Sequence, residues 1–239
     1  ADFRQALSTV KYQNNASVGT IHTATRSIDV QANDGSSTAN LSSVATAHVS
    51  ISTPPVVDLD TTTGGNDFST AFVETGTGVA GTGSVLIGNA GSLSLVEPDG
   101  AQLRQLTVTI TNVQAGDVLS GTASGGANSL SYDSAAGVLT VKASSGTATA
   151  ADFQAVLNSI RFNSTSENPA TVTRQLSVVA TNAQNVASDS VSGGAATSTI
   201  TVTSSNDAPV LTATVASPTA TESGTGTNTV SLLSGASVS

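Results

Sequence analysis

Leu106-Thr107-Val108-Thr109-Ile110-Thr111 alternates aliphatic and hydroxyl side chains through three full periods. Successive side chains of an extended chain point to opposite faces, so this run reads as a strand with one face buried and one wet. Thr199-Ile200-Thr201-Val202-Thr203 repeats the pattern. A different period marks Phe153, Val156, Leu157 and Ile160, which fall at i, i+3, i+4 and i+7 and form one stripe of a short helix. Thr149 is placed to cap that helix, with Asp152 near its positive end. Gly- and Asn-rich stretches such as 120–129 read as turns or loops. The expected fold class is therefore all-β, with one short helix per repeat.

Composition narrows the class further. The 239 residues carry a net charge of −9 with only seven Lys and Arg, spread singly, so no basic patch exists to neutralise phosphates and nucleic acid is not an expected partner. Charged residues are 10% and mean hydropathy is +0.11, unlike the highly charged, apolar-poor composition of disordered chains. No apolar run approaches the roughly 18 residues of a membrane span. There is no Met and no opening signal peptide, and the chain is read as a processed form or a stretch of something longer, with its targeting information elsewhere. Absent Cys removes disulfides, thiolate metal sites and a Cys nucleophile.

No set of catalytic roles can be assembled, so an enzyme is not expected. His22 and His48 are far apart in sequence, and neither a Gly-x-Ser-x-Gly elbow nor zinc-type histidine spacing occurs. Glu97 and Asp99 are a carboxylate pair of the kind glycoside hydrolysis uses, but seven aromatics leave few to face a sugar once the core is filled. The threonine rows are explained by a wet strand face. Lys11 and Lys142 carry no feature demanding an isopeptide bond.

The chain repeats itself. Ala1-Asp2-Phe3 through Tyr12 recurs as Ala151-Asp152-Phe153 through Phe162, an offset of 150 (151 − 1). Arg26-Ser27-Ile28-Asp29-Val30 matches Arg174-Gln175-Leu176-Ser177-Val178, and Ala45 to Ile51 matches Ala196 to Val202. Glu222-Ser223-Gly224-Thr225-Gly226 echoes Glu74-Thr75-Gly76-Thr77-Gly78. The reading is that residues 1–55 are the back half of one unit, 56–209 a complete unit and 210–239 the start of a third. The matched aromatics Phe3 and Phe153, Tyr12 and Phe162 are expected to pack in cores. A half unit leaves strand edges and apolar faces unpaired, so adjacent chain or a neighbouring molecule is expected to complete each end.

Five motifs in order carry a family resemblance: Tyr132-Asp133, then Gly137-Val138-Leu139-Thr140, then Ala151-Asp152-Phe153, then an Asn-rich stretch, then Asn206-Asp207-Ala208-Pro209. This order resembles the cadherin-like, Ig-like tandem repeats of large bacterial surface adhesins of the RTX and biofilm type. The resemblance implies a β-sandwich module strung head to tail, extracellular or on the bacterial cell surface, with calcium at its junctions and adjacent repeats as its partners. Its implied role is a non-catalytic spacer that projects an adhesive end or builds extracellular matrix.

The calcium ligands so implied are Asp58, Asp60, Glu74, Glu97 and Asp99 at the first junction, and Asn206, Asp207 and Glu222 at the second. Asp58-Leu59-Asp60 is read as an extended strand with both carboxylates on one side, and Glu97-Pro98-Asp99 as the Asp-x-Asp loop. Two departures stand against the pattern. The first linker, Thr53-Pro54-Pro55, lacks the Asn-Asp pair, and Thr212-Ala213-Thr214 lacks the Asp-x-Asp of 58–60. The rival readings are a self-assembling S-layer or extracellular fibre subunit, with neighbouring copies in a fibre or lattice, and a glycan-binding module. Thr61-Thr62-Thr63 also suits O-glycosylation.

Overall fold

The computed structural model of the chain describes residues 3–15, 25–75, 83–188, 195–209, 211–220, 224 and 229–238. In chain order, α1 (Phe3–Leu7), β1 (Arg26–Val30) and β2 (Ala45–Val49) come first. A long central series follows: β3 (Val56–Asp58), β4 (Phe68–Val73), β5 (Val85–Leu86), β6 (Ser94–Val96), β7 (Leu103–Ile110), β8 (Asp117–Ser120), β9 (Ser129–Asp133) and β10 (Val138–Lys142). Then come α2 (Ala150–Leu157), β11 (Arg161–Ser164), β12 (Arg174–Asn182) and β13 (Ala196–Thr203), and last β14 (Leu211–Val215) and β15 (Leu233–Val238). The fold is all-β, as expected. No helix among the described residues is long and apolar enough to cross a membrane.

Alternation decides which faces are buried. On β7 Leu106, Val108 and Ile110 are buried while Thr107 and Thr109 stay partly open, and Ile200 and Val202 do the same on β13. These strands belong to a six-stranded sheet in the order β4-β13-β12-β7-β10-β9. Its apolar face shares one buried cluster with Leu119 and Phe162 of the three-stranded sheet β5-β11-β8, with Val57 and Leu95 of the pair β3-β6, and with Phe153, Val156 and Leu157 of α2. Helix α2 begins where its sequence says it should. The Thr149 hydroxyl accepts from the Asp152 N–H at 3.1 Å, and the Asp152 carboxylate accepts from the Thr149 N–H at 3.1 Å, a reciprocal capping box.

Two contacts pin the sheets across the core. Phe72 of β4 meets Phe162 of β11 edge to face, with centroids 5.4 Å apart and an interplanar angle of 88°. Arg174 of β12 donates from Nε to Asp117 Oδ2 of β8 at 2.6 Å, with both side chains fully buried. The same oxygen accepts from the Gln114 N–H at 2.8 Å, and Arg174 Nη1 donates to the Val172 carbonyl. The Tyr132 hydroxyl donates to the Asp117 carbonyl at 2.9 Å, and Asp133 Oδ1 accepts from the N–H groups of Ala135 and Ala136. That turn ends at Gly137, whose φ of 67° and a virtual Cβ 2.9 Å from Val113 Cβ both exclude a side chain. The Tyr-Asp and Gly-Val-Leu-Thr motifs are thus one structural device.

The hairpin β1–β2 repeats the register of β12–β13. Arg26 pairs with Val49 and Ile28 with Ala47, as Arg174 pairs with Ile200 and Leu176 with Ser198. Burial does not follow the repeat. Tyr12 is 41% exposed whereas its counterpart Phe162 is fully buried, so the expected core role of Tyr12 is not met: no described strand covers it.

Asp117→Ala would leave the Arg174 charge buried without its counter-charge. The expected loss is about 3–5 kcal/mol of unfolding free energy, against about 1 kcal/mol for Tyr132→Phe, both read from urea midpoints.

Candidate metal centre

The chain crosses the central body from end to end. β12 and β13 are antiparallel with Val178 opposite Ala196 and Arg174 opposite Ile200, so Asn182 and Thr203 lie at opposite ends of the pair. Thr53, on the way in, is held at the Asn182 end: Asn182 Nδ2 donates to Ser52 Oγ at 2.7 Å and to the Thr53 carbonyl at 3.2 Å. The segment leaving β13 departs at the other end. Acidic side chains gather at both.

At the exit, β4 pairs with β13 in parallel, from Phe68 opposite Ser198 to Val73 opposite Thr203. The pairing continues one residue further, where the Glu74 N–H donates to the Thr203 carbonyl at 3.0 Å. Glu74 is only 2% exposed. Its Oε2 accepts from the Ser205 N–H at 2.9 Å, while its Oε1 is buried with no hydrogen-bond partner. Glu167, on the loop between β11 and β12, and Asp207, on the exit segment, bring carboxylate oxygens to the same place, and the three lie within 4.8 Å of one another. Asp207 Oδ1 is also buried and unpartnered. Two buried carboxylate oxygens facing a third carboxylate, with no donor to satisfy them, form an arrangement that a cation completes. The donor set is oxygen alone, which suits a hard divalent ion rather than zinc or copper.

Of the ligands expected from sequence, the structure therefore joins Glu74 to Asp207. The sequence reading puts them at different junctions, and the parallel strand places them at one. Glu167 was not foreseen, because a lone acid in a loop carries no pattern. Asn206 is exposed beside the cluster and donates from Nδ2 to the Asp207 carbonyl at 3.3 Å. Glu222 lies outside the described residues.

Asp58 and Asp60 do not share one side of a strand. β3 stops at Asp58, whose Oδ1 accepts from the Asp60 N–H at 2.9 Å and starts a turn. Asp60 Oδ1 is taken by the Thr62 hydroxyl at 2.6 Å, the Asn89 amide at 2.8 Å and the Thr62 N–H at 3.1 Å. Those bonds, the Thr62 hydroxyl first, hold the Asp60 carboxyl below the usual carboxylate range. Its oxygen is spent on local structure.

At the entry end, Asp99 Oδ2 accepts from the Thr53 N–H at 2.9 Å and Oδ1 from the Ala101 N–H at 3.1 Å. Glu97 is 8% exposed, and neither of its oxygens makes a hydrogen bond of normal geometry. Burial, then the hydrogen bond and charge of Asp99, push the Glu97 carboxyl up to about 8. Burial also works upward on Asp99, but the bonds it accepts from Glu97, Thr53 and Ala101 outweigh it and leave Asp99 below its ordinary value. Glu97 thus stays protonated at neutral pH beside Asp99, whose Oδ2 grips the incoming chain at Thr53. The two carboxyls lie side by side, and no third carboxylate joins them among the described residues.

Comparison with known proteins returned no matching family model, no similar curated protein and no similar solved structure.

The Glu97 proton couples folding to pH. An unfolded chain loses this proton near 4.5 and the folded chain near 8, so the folded state holds more protons between them. Its contribution is full below about pH 4.5 and is lost as pH climbs through about 8. Glu97→Gln should melt higher than wild type at pH 8.5, and the difference should shrink toward pH 5 in a pH series of thermal melts.

Proposed function

We propose that this chain is a non-catalytic structural spacer, a segment of a giant bacterial cell-surface or secreted repeat protein whose joints are stiffened by calcium. The observation that carries the reading is the exit cluster. Glu74 and Glu167 belong to the central body, whereas Asp207 belongs to the segment that continues to the next strands. A cation shared by the three ties that segment to the body and converts a loose linker into a fixed joint.

Chemistry favours calcium over its competitors. Carboxylate, carbonyl and water oxygens at flexible geometry are its ligands, and six to eight are needed, so backbone carbonyls and water complete the shell. Entry and exit at opposite ends of the β12–β13 pair suit a unit that transmits length along a rod. The internal repeat and the order of motifs shared with cadherin-like adhesin modules support the same reading. The role is reach and stiffness; an adhesive end belongs elsewhere in such a molecule.

Terbium luminescence and calcium titration test it on the intact chain. Binding is expected with a dissociation constant on the order of 10⁻⁴ to 10⁻³ M, the range of extracellular calcium modules. Hydrogen exchange of residues 204–209 should slow on binding. Glu74→Gln should abolish both effects, and in chelator it should melt no lower than wild type because an unpaired buried charge has gone. Wild-type exchange at 204–209 that ignores millimolar calcium would sink the joint.

A further inference from the structure

The body grips the incoming chain through a residue of its own interior. Asn182 closes β12 and is fully buried. Its Oδ1 accepts from the N–H groups of Gln184 at 3.1 Å and Val186 at 2.9 Å, which folds the turn after β12. Its Nδ2 faces the entering chain and donates to Ser52 Oγ at 2.7 Å and to the Thr53 carbonyl at 3.2 Å. From the other side Asp99 Oδ2 takes the Thr53 N–H at 2.9 Å. Both backbone groups of Thr53 are therefore bonded across the joint.

The turn at Asn182 recurs in the first repeat with one change of chemistry. Arg26 matches Arg174, so position 34 (26 + 8) matches 182 (174 + 8), and it holds Asp34. Asp34 Oδ1 accepts from the Ser36 N–H at 2.9 Å, as Asn182 Oδ1 accepts from Gln184. The Asp34 N–H donates to the Asn40 carbonyl at 3.1 Å, as the Asn182 N–H donates to the Val186 carbonyl at 2.9 Å. The bridge Asn33–Leu41 likewise repeats the bridge Thr181–Ala187. The turn thus forms around a carboxylate or an amide. What differs is the second polar atom, which donates in an amide and only accepts in a carboxylate.

That difference matters because of what surrounds Nδ2. Ser52 Oγ, the Thr53 carbonyl and the Glu97 carboxyl all lie beside it. The amide supplies the donors that a cation would otherwise replace, and Asp99 already accepts a backbone N–H at each oxygen. The linker adds no charge: Ser52-Thr53-Pro54-Pro55-Val56 carries no acid, where the exit segment carries Asp207. The calcium that the adhesin resemblance implies for Glu97 and Asp99 does not fit this donor set.

We infer that Asn182 makes the entry joint a hydrogen-bonded latch that holds without a cation, and that an amide or a carboxylate at this position selects between such a latch and a cation-held joint. This rests on the reading of the chain as jointed units and departs from it at one end: the two joints of the body answer to different chemistry.

Amide exchange of the intact chain, read residue by residue by NMR in chelator and in millimolar calcium, tests it. Thr53 is the reporter, since Pro54 and Pro55 carry no N–H. Every chain carries Glu74→Gln, so that calcium at the exit does not slow exchange by stabilising the whole fold. With Asn182 in place, Thr53 protection should be the same in both media. Asn182→Asp sets a carboxylate against Glu97, Ser52 and the Thr53 carbonyl, an oxygen set suited to calcium. Its Thr53 exchange should run roughly tenfold faster in chelator and return to the parent rate in calcium. Ser52→Ala, at a half-buried position, removes one acceptor without touching the interior, and should quicken Thr53 exchange equally in both media. Calcium that slows Thr53 exchange while Asn182 is present would overturn the inference. So would an Asn182→Asp chain whose Thr53 stays protected in chelator or ignores calcium. Residues 204–209 of the wild-type chain report the exit separately, so a silent exit would remove the calcium joint and leave the latch standing.

Discussion

The parallel pairing of β4 with β13 is the constraint on which the rest of the molecule depends. It joins Phe68 to Ser198, 130 residues later (198 − 68), and so turns a linear series of hairpins into a closed body. It seats Phe72 against Phe162 and thereby locks the six-stranded sheet to the three-stranded one. One residue past its end it carries Glu74 to the Thr203 carbonyl, where the chain departs. The acidic cluster is therefore a by-product of strand closure: the same register that fills the core delivers a buried carboxylate to the joint.

The two ends of the body treat their acids differently, and the reason is the number of donors nearby. At the entry, Asp99 is supplied by backbone N–H groups and Glu97 stays protonated at neutral pH. At the exit, Glu74 receives one N–H and Asp207 Oδ1 receives none. Two carboxylates that share a proton carry one charge between them, whereas three with a single backbone donor offer an oxygen set that could hold an ion.

Local patterns in the sequence reached as far as local physics does. The alternation on β7 and β13 and the Thr149–Asp152 capping box are properties of adjacent residues, and both are present in the structure. The repeat likewise appears as a shared hairpin register. What escaped was long-range. Nothing near Arg174 announces Asp117, 57 residues away, as its buried partner (174 − 117). Glu74 and Asp207 were legible as acids but not as neighbours, because a parallel pairing leaves no trace in either strand alone. Tyr12 shows the opposite failure, since a residue type suited to a core is buried only where the opposing strand is present. Asp60, expected as a calcium ligand beside Asp58, is committed to the turn that follows β3.

Closure between β4 and β13 also sets a timetable. A chain that emerges from its N-terminus has β4 in hand long before β13, and it cannot shut the sheet until residue 203 has arrived. Contacts this distant in sequence carry a high contact order, and all-β bodies of that kind fold in milliseconds to seconds rather than microseconds. Until then β4 presents an unpaired edge, so every earlier strand waits on the last one. A unit threaded out of a pore would stay slack through most of its passage and take up load only when its final strand was free.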